Sequence, residues 1–302
     1  MRRGVAWAFL AMLFGVAAGQ EALAASTPID TLVIGDLQRT FGLYVPDKLA
    51  ERPALVLAFH GSGGNAAVPP IFGFEPLADA EGFILAYPNG FEGHWNDCRS
   101  AGSYAANAQN VDDVEFVRRL VAELAKRYGV ESTRVFATGW SNGGQFVYRL
   151  AMECPGLVAA VAPFGANLPA DTNLNCTPSG QPVSIMIVNG TKDSISPWEG
   201  GSSPHGEVRS AEQTFAYWAE VAGLRGQPTV TLYPDVVADD ESTVERRTLS
   251  AGRIEVSLVI VHGGGHTLPG ASMKAGGRLG AVNRDVVGAE LIWEFFARHL
   301  AP

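Results

Sequence analysis

The sequence predicts an α/β protein whose central sheet is mostly parallel and is covered by helices on both faces. Short, nearly continuous apolar runs alternate along the chain with segments of helical periodicity. A strand that is buried on both faces loses the alternation of polar and apolar residues, as expected in a parallel sheet between two helical layers. No internal repeat or low-complexity tract interrupts the pattern. We therefore expect one domain, with the Gly-, Ser- and Pro-rich stretch 197–204 as a loop over the sheet edge.

The elements follow from these patterns in order. Residues 31–34 and 41–45 are predicted to pair as a hairpin. Further strands are predicted at residues 54–59, 83–87, 134–138, 157–162, 183–188, 230–232 and 254–261. Helices are predicted at residues 114–128, 145–150, 210–222 and 284–299. Asp112 or Asp113 could cap the first of these helices, and Gly129 could end it.

Composition and charge exclude several classes of protein. The chain has 302 residues, of which 47% are hydrophobic and 18% charged, so it can bury a large core and is not expected to be disordered. It is acidic, with 22 basic and 31 acidic residues, and no cluster of Lys and Arg stands out. A nucleic-acid partner is therefore not expected, since phosphate contacts need clustered cations.

The N-terminus has the pattern of a secretory signal peptide over residues 1–24. Two arginines precede an apolar run at residues 5–18, and Ala-Leu-Ala at 22–24 forms a small-x-small cleavage site. Cleavage would remove two basic residues and one acidic residue, so counts of 20 and 30 would change the net charge from −9 to −10. An uncleaved anchor is the alternative, but the run is short for a bilayer span. We expect a secreted domain of residues 25–302, periplasmic or extracellular, with no stable membrane insertion.

Three cysteines allow one disulfide and leave one thiol over, and export would favour the oxidised state. Cys154 and Cys176 flank residues 155–175, so this pair is our first choice. Cys98 lies in a different loop and could compete.

Residues 138–144 read Thr-Gly-Trp-Ser-Asn-Gly-Gly between a predicted strand and a predicted helix. An ordinary turn could produce this pattern, because glycines favour turns and serine caps helices. Gly-x-Ser-x-Gly at a strand-to-helix turn is also the nucleophile elbow, which presents a strained serine at the edge of a sheet. Ser141 is therefore the candidate nucleophile, and the backbone N–H of Asn142 is a candidate oxyanion donor.

A serine nucleophile needs a histidine as base and a carboxylate to orient it. In the α/β-hydrolase arrangement these residues follow in the order Ser, Asp, His, each in a loop after a strand. Asp193 follows the predicted strand 183–188, and His266 follows the predicted strand 254–261. Either residue alone could be an ordinary loop residue, but their order and placement together predict a triad with Ser141. No cofactor is expected.

His262 and His266 are also spaced as some zinc ligands are. Such pairs lie on a helix, and the three glycines between these histidines make a helix improbable. No metal is expected.

Two further features are assigned by position. The sequence His-Gly-Ser-Gly-Gly-Asn at residues 60–65 directly follows a predicted strand, so Ser62 is the expected second oxyanion donor, with Gly61 or Gly63 as alternatives. Trp95 and Trp198 lie in polar loops and are predicted to form a substrate-binding floor for an aromatic or hydrophobic acyl group. Trp140 is interpreted as core.

Together these motifs resemble the secreted esterases grouped as polyhydroxybutyrate-depolymerase-like proteins, which include feruloyl and acetylxylan esterases and are similar to carbohydrate esterase family 1. The matching pieces run in the family's order over about residues 30 to 299: the motif at 60–65, Tyr-Pro-Asn-Gly at 87–90, Trp-Asn at 95–96, Asp-Val-x-Phe-Val at 113–117, the elbow, Gly-Thr-Lys-Asp at 190–193 and Gly-Gly-His-Thr-Leu-Pro-Gly at 264–270. The resemblance implies an α/β-hydrolase fold and a secreted carboxylic-ester hydrolase with a triad of Ser141, Asp193 and His266. Two positions depart from the family pattern, since Asn189 often is His there and Leu268 often is Trp.

We therefore expect a serine esterase that acts on small-molecule or oligomeric esters, either hydroxyalkanoate oligomers or feruloyl esters, as a monomer. Two alternatives stay open. One is a serine hydrolase of small peptides, and the other is a non-catalytic secreted binding module that kept the fold.

Overall fold

The computed structural model describes residues 28–273 and 276–300, and the predicted signal peptide lies outside them. The strands are β1 (Ile29–Ile34), β2 (Leu37–Tyr44), β3 (Leu55–Phe59), β4 (Ile84–Pro88), β5 (Val135–Trp140), β6 (Ala160–Phe164), β7 (Ser184–Gly190), β8 (Gly201–Ser203), β9 (Gly206–Val208), β10 (Thr229–Leu232), β11 (Thr243–Ala251) and β12 (Ile254–His262). The α-helices are α1 (Glu75–Glu81), α2 (Ala105–Ala108), α3 (Asp113–Tyr128), α4 (Asn142–Glu153), α5 (Ala211–Val221) and α6 (Gly288–Arg298).

Ten of these strands form one sheet in the order β1-β2-β4-β3-β5-β6-β7-β12-β11-β10. The six central strands, from β4 to β12, pair in parallel. The pairings toward both edges are antiparallel, including the predicted hairpin of β1 and β2. The prediction of a mostly parallel sheet is confirmed. Because all parallel strands point the same way, the loops at their carboxyl ends meet along one edge, where ligands bind in open α/β sheets.

Alternating side chains of the central strands pack into two separate cores. In β3, Leu55, Leu57 and Phe59 pack on one face with helices α3, α4 and α5, whereas Val56 and Ala58 pack on the other with α1 and α6. All five residues of this strand are buried. The apolar runs in the sequence follow from this arrangement, because neither face of the central strands meets water.

Helix α3 shows how the local sequence sets an element's ends. Asp112 caps it by accepting a hydrogen bond from the Glu115 N–H at 2.9 Å. Gly129 ends it in the left-handed region at φ 71°, with its N–H bonded to Ala125 O. Asp113, the other predicted cap, is instead buried and paired with Arg39 at 2.6 Å.

Several elements differ from the sequence prediction. Strand β11 was not predicted, because its residues TVERRTLSA are polar and only partly buried near the sheet edge. The predicted loop 197–204 contains β8, which pairs with β9 in a short hairpin. Strand β6 begins at Ala160 and helix α6 at Gly288, each a few residues later than predicted.

The first choice for the disulfide is wrong. The bond joins Cys98 to Cys176, and among the described residues Cys154 is the free cysteine. Backbone pairing explains the outcome, because Asn175 N–H donates to Cys98 O at 3.0 Å and brings the two cysteines together. Cys154 follows helix α4 instead, where it accepts a hydrogen bond from Arg118 Nη2.

No helix in the described ranges is long and apolar enough to cross a membrane.

Candidate active site

Ser141 stands at the sharp turn between β5 and α4. Its φ of 56° and ψ of −118° lie in a region that residues other than glycine rarely adopt, so the turn stores strain. The backbone holds it there, since Ser141 N–H donates to Phe164 O at 3.0 Å and Gln145 N–H donates to Ser141 O at 2.9 Å. This is the geometry expected of a nucleophile elbow.

The glycines around Ser141 are required by close backbone contacts. A Cβ on Gly139 would lie 2.6 Å from the Gly143 carbonyl, and one on Gly143 would lie 2.5 Å from the carbonyl oxygen of His60. Neither contact can relax, because both partners are backbone atoms. The turn therefore requires glycine two positions before and two positions after the serine.

Asp193 lies in the loop after β7 and is fully satisfied by hydrogen bonds. Its Oδ1 accepts from the N–H groups of Ile195 and Ser196, both at 2.8 Å. Its Oδ2 accepts from His266 Nδ1 at 2.6 Å. Both side chains are buried, so the pair is shielded from water.

His266 is fixed from several sides. Its N–H donates to Leu279 O at 2.6 Å, and its carbonyl accepts from Trp140 Nε1 at 3.2 Å. Because a carboxylate only accepts, the contact with Asp193 puts the proton on Nδ1 and leaves Nε2 with a free lone pair. Gly165 makes room for the ring, since a Cβ there would lie 3.2 Å from two of its atoms.

Ser141 and His266 line the same cleft, whose volume is about 620 Å³. Among the described atoms no hydrogen bond joins Ser141 Oγ to His266 Nε2. Such bonds are often long in ligand-free sites and tighten when substrate binds. The volume lies within the range of sites that bind small molecules.

The two predicted oxyanion donors also line this cleft. Asn142 is the first residue of α4, so its N–H has no acceptor within the helix. The Asn142 side chain anchors the turn by bonding to both backbone groups of Trp95 and to Asp97 Oδ2. The Ser62 N–H has no acceptor within the described ranges, while the next residue, Gly63, is held by a 2.8 Å bond to Gly93 O.

His60 supports this loop from below. Its Nδ1 lies 2.7 Å from Gly61 O, and its Nε2 accepts from the Gly90 N–H at 3.0 Å. A carbonyl only accepts, so Nδ1 carries the proton and the ring is neutral. Burial lowers the pKa of His60 to about 4, which agrees with this assignment.

The prediction that Trp95 and Trp198 form the floor of this cleft is wrong. Trp95 is fully buried, stacked against Phe146, and bonded through Nε1 to His60 O at 3.0 Å. Trp198 packs partly buried against the same core and does not line the cleft as the structure describes it. Trp140, interpreted as core, does line it. A tryptophan's sequence neighbours do not reveal which way its ring points.

The two positions that depart from the family pattern are both structural. Asn189 bonds to the backbone of Ala166 through both ends of its amide and donates to Asn167 Oδ1 at 2.7 Å. Leu268 is fully buried in the core that packs with α1 and α6.

A second group of cleft-lining residues, called the second wall below, was not predicted. It includes Arg99 and Tyr104 from residues 99–104, the segment after Cys98 that is called the disulfide loop below, and His205 from the hairpin of β8 and β9. Tyr104 OH lies 2.7 Å from His205 Nε2. Asn173 joins the two segments, because its Nδ2 donates to His205 O and its Oδ1 accepts from the Ala101 N–H. No signal in the sequence links these distant residues.

His262 and His266 have different partners. His262, exposed at the end of β12, lies 3.3 Å from Glu245 Oε2, whereas His266 is bonded to Asp193. No group of three or more potential metal ligands occurs within the described ranges.

Comparison with known proteins now adds to this geometry. Residues 55–215, more than half of the chain, match the model of the dienelactone hydrolase family. The chain belongs to the dienelactone hydrolase family. The matched region of this family member includes the turn at Ser141 and both predicted oxyanion donors.

Curated relatives are named as esterases. The chain is 27% identical over 288 residues to the "Putative esterase NocK" of Nocardia uniformis subsp. tsuyamanensis, covering 90% of this chain and 83% of that protein. It is 24% identical over 238 residues to "Feruloyl esterase B" of Piromyces equi, covering 71% of this chain and 42% of that protein. It is 29% identical over 159 residues to the "Bifunctional acetylxylan esterase/xylanase XynS20E" of Neocallimastix patriciarum, covering 52% of this chain and 22% of that protein. The chain thus spans less than half the length of the last two.

Solved structures show the same fold. The acetyl xylan esterase from Aspergillus awamori superposes with a TM-score of 0.58 at 19% identity, over 90% of this chain and 99% of that one. Family, relatives and fold agree, and the chain is an α/β-hydrolase that cleaves esters.

Proposed function

We propose that residues 25–302 form a secreted serine esterase in which Ser141 is the nucleophile, His266 the general base and Asp193 the residue that orients it. The observation that carries this assignment is the buried 2.6 Å hydrogen bond between His266 Nδ1 and Asp193 Oδ2, beside a strained serine in the same cleft. The chemistry needs no cofactor, and the enzyme acts as a monomer.

The reaction proceeds in two halves. Ser141 Oγ attacks the ester carbonyl carbon while His266 Nε2 takes the hydroxyl proton, and Asp193 stabilises the imidazolium. The N–H groups of Ser62 and Asn142 donate to the oxyanion, a contribution of several kcal/mol in related sites, on the order of 3. The carbonyl–alkoxy bond then breaks, and His266 gives its proton to the departing alcohol.

Water completes the cycle. His266 takes a proton from a water molecule as the water oxygen attacks the acyl carbon on Ser141. The bond from the acyl carbon to Ser141 Oγ breaks, the serine recovers the proton from His266, and the free acid leaves. The enzyme therefore ends the cycle in the state in which it began.

The substrate is a small or oligomeric ester, either a hydroxyalkanoate oligomer or a feruloyl ester. Names of the relatives favour feruloyl or acetylxylan esters, and the motif resemblance adds hydroxyalkanoates. Export is supported by the signal-peptide pattern at residues 1–24 and by the disulfide between Cys98 and Cys176.

The test compares initial hydrolysis rates on methyl ferulate and on a soluble 3-hydroxybutyrate oligomer, with Ser141→Ala as the blank. We expect cleavage of at least one, and a loss of about 10⁴-fold or more in the variant. Preference for the ferulate would indicate a plant-cell-wall substrate, and preference for the oligomer would indicate polyester breakdown. Full activity of Ser141→Ala would refute the assignment.

Labelling with a fluorophosphonate separates an enzyme from a binding module. The reagent should modify the wild type at Ser141 and leave Ser141→Ala unmodified. A wild-type protein that resists labelling and cleaves no ester would fit the binding module instead.

A further inference from the structure

Gln145 carries a buried polar atom without a partner. The residue lies in the first turn of α4, is 4% exposed and lines the cleft. Its Nε2 donates to Asn167 O at 2.6 Å, but its Oε1 has no hydrogen-bond partner among the described residues. A buried amide oxygen without a donor is unfavourable by about 1–3 kcal/mol, so such atoms are rare unless a ligand or water satisfies them.

The orientation of this amide is fixed by its neighbours. Asn167 presents a backbone carbonyl, which only accepts, so the nitrogen of Gln145 must face it. Asn167 itself is held by Asn189 Nδ2 and by its own donation to Pro197 O, both at 2.7 Å. The Gln145 oxygen therefore cannot exchange places with the nitrogen.

Gln145 also lies close to the reacting atoms. Its N–H bonds to Ser141 O at 2.9 Å, so it follows the nucleophile by one helical turn. Four residues of a helix rise about 6 Å. A substrate group that meets Gln145 Oε1 must therefore lie within a few bonds of the scissile ester.

The charge of the cleft selects the kind of donor. An amide oxygen can bind a hydroxyl or a charged ammonium group. Arg99 and Arg278 line the same cleft, whose described lining contains no carboxylate. Arg99 is paired with the buried Asp97, so Arg278 is the cation that disfavours a second positive charge there. The neutral hydroxyl is the donor that fits.

We infer that Gln145 is a specificity-determining residue whose Oε1 accepts a hydrogen bond from a substrate hydroxyl close to the scissile ester. The inference rests on the proposed esterase function. The hydroxyl could belong to the acid part, as in a 3-hydroxyacyl ester, or to the alcohol part, as in an ester of a polyol or sugar. Both share the same chemistry at Gln145.

Two isosteric ester pairs distinguish these sources. The acid-side pair is p-nitrophenyl 3-hydroxybutanoate and p-nitrophenyl 3-methylbutanoate, and the alcohol-side pair is 2-hydroxyethyl acetate and propyl acetate. In each pair a methyl group replaces the hydroxyl. We expect the wild type to prefer the hydroxylated member of one pair by about tenfold in kcat/KM.

Gln145→Met keeps the length of the side chain and removes the acceptor. It should reduce that preference to about one, whereas a merely structural disturbance would slow both members equally and leave the ratio unchanged. Gln181→Met, the same change in an exposed loop, should keep the wild-type ratio. A wild type with no preference in either pair, or an unchanged ratio in Gln145→Met, would overturn the inference and leave only water at Gln145.

A binding measurement keeps this inference separate from the catalytic assignment. N-Methyl-3-hydroxybutanamide and N-methyl-3-methylbutanamide, with N-(2-hydroxyethyl)acetamide and N-propylacetamide, are titrated into Ser141→Ala by calorimetry. Tighter binding of a hydroxylated amide, lost in Ser141→Ala/Gln145→Met, supports the subsite even if no ester is cleaved by the wild type. Equal affinities within both pairs refute the subsite even if Ser141 is the nucleophile.

Discussion

The two walls of the cleft are built in different ways. His266 on the first wall and its buried partner Asp193 come from loops that directly follow two neighbouring parallel strands, β12 and β7. Arg99, Tyr104 and His205 on the other wall come from a disulfide loop and a hairpin that side chains hold together. The first wall is positioned by the sheet, so strand order predicts it. The second wall depends on contacts between distant residues, and no local sequence pattern predicts these contacts.

The largest effect on activity is expected from Asp193→Asn, a change beside the first wall. Asp193→Asn removes the carboxylate that accepts from His266 Nδ1, so the ring loses its orientation and the stabilisation of its charged form. We expect kcat for any cleaved ester to fall by about 10³- to 10⁴-fold with KM little changed. The measurement is steady-state kinetics, with Asp239→Asn on the surface as the matched control. A loss below about tenfold would mean that Asp193 does not orient the base.

The disulfide tests the second wall. Cys98→Ser/Cys176→Ser opens a loop of sequence separation 78, which in the chain-entropy model lowers the free energy of unfolding by about 4 kcal/mol. Urea titration of oxidised wild type and variant measures this difference. Cys154→Ser is the control, because Cys154 is not in the bond. A similar loss in Cys154→Ser would point to packing around the cysteines rather than to the cross-link.

His60 supports the loop that carries Ser62, the proposed oxyanion donor, and the effect of His60 on stability depends on pH. Its pKa is about 4 when folded against 6.5 in its ordinary state, so between these values the unfolded chain binds a proton that the folded chain does not. Stability should therefore fall as the pH drops from 6.5 to 4, by about 3 kcal/mol in total from this residue. Below pH 4 both states are protonated and the loss from His60 is complete.

The measurement for His60 is the free energy of unfolding at several pH values in wild type and His60→Gln. Other groups titrate in both proteins, so the difference in slope isolates His60. The variant should lose less stability over this window, whatever its stability at neutral pH. Parallel curves would show that His60 titrates alike in both states.

The smallest effect is expected from Tyr104→Phe, a change in the second wall. It removes the hydroxyl that lies 2.7 Å from His205 Nε2 and leaves the ring stacked on His94. We expect a net loss of about 1 kcal/mol in binding, seen as a roughly fivefold rise in KM for longer esters. Hydrolysis of p-nitrophenyl acetate, a much smaller ester, should change less. A large fall in kcat for that substrate would mean that the second wall also positions the reacting groups.

The sequence predicts the sheet and the first wall well because few physical choices are involved. A buried parallel strand must be apolar, and the loop after it must lie at the carboxyl edge, so order alone brings Ser141, Asp193 and His266, the proposed triad, to this edge. Ser62 and Asn142 follow by adjacency. The prediction for Trp95 was wrong because the direction of its ring depends on packing against Phe59 and Phe146.

The disulfide pairing and the unpaired oxygen of Gln145 could not be predicted from the sequence. Cys98 was the less favoured partner because nothing local shows that residues 98–99 run beside residues 174–175. Gln145 looked like an ordinary helical residue, since its unpaired oxygen is visible only once the partner of its nitrogen is known. Both depend on which distant backbone lies opposite, and that information resides in the packed structure.

Asn173, which joins the disulfide loop to the hairpin, also bears on the order of folding. Distant contacts build both the proposed triad and the second wall: 73 positions separate Asp193 from His266, and 101 separate Tyr104 from His205. Contacts between distant positions require closure of long loops, which slows their formation. A refolding chain should therefore regain ester hydrolysis late, together with its discrimination between esters.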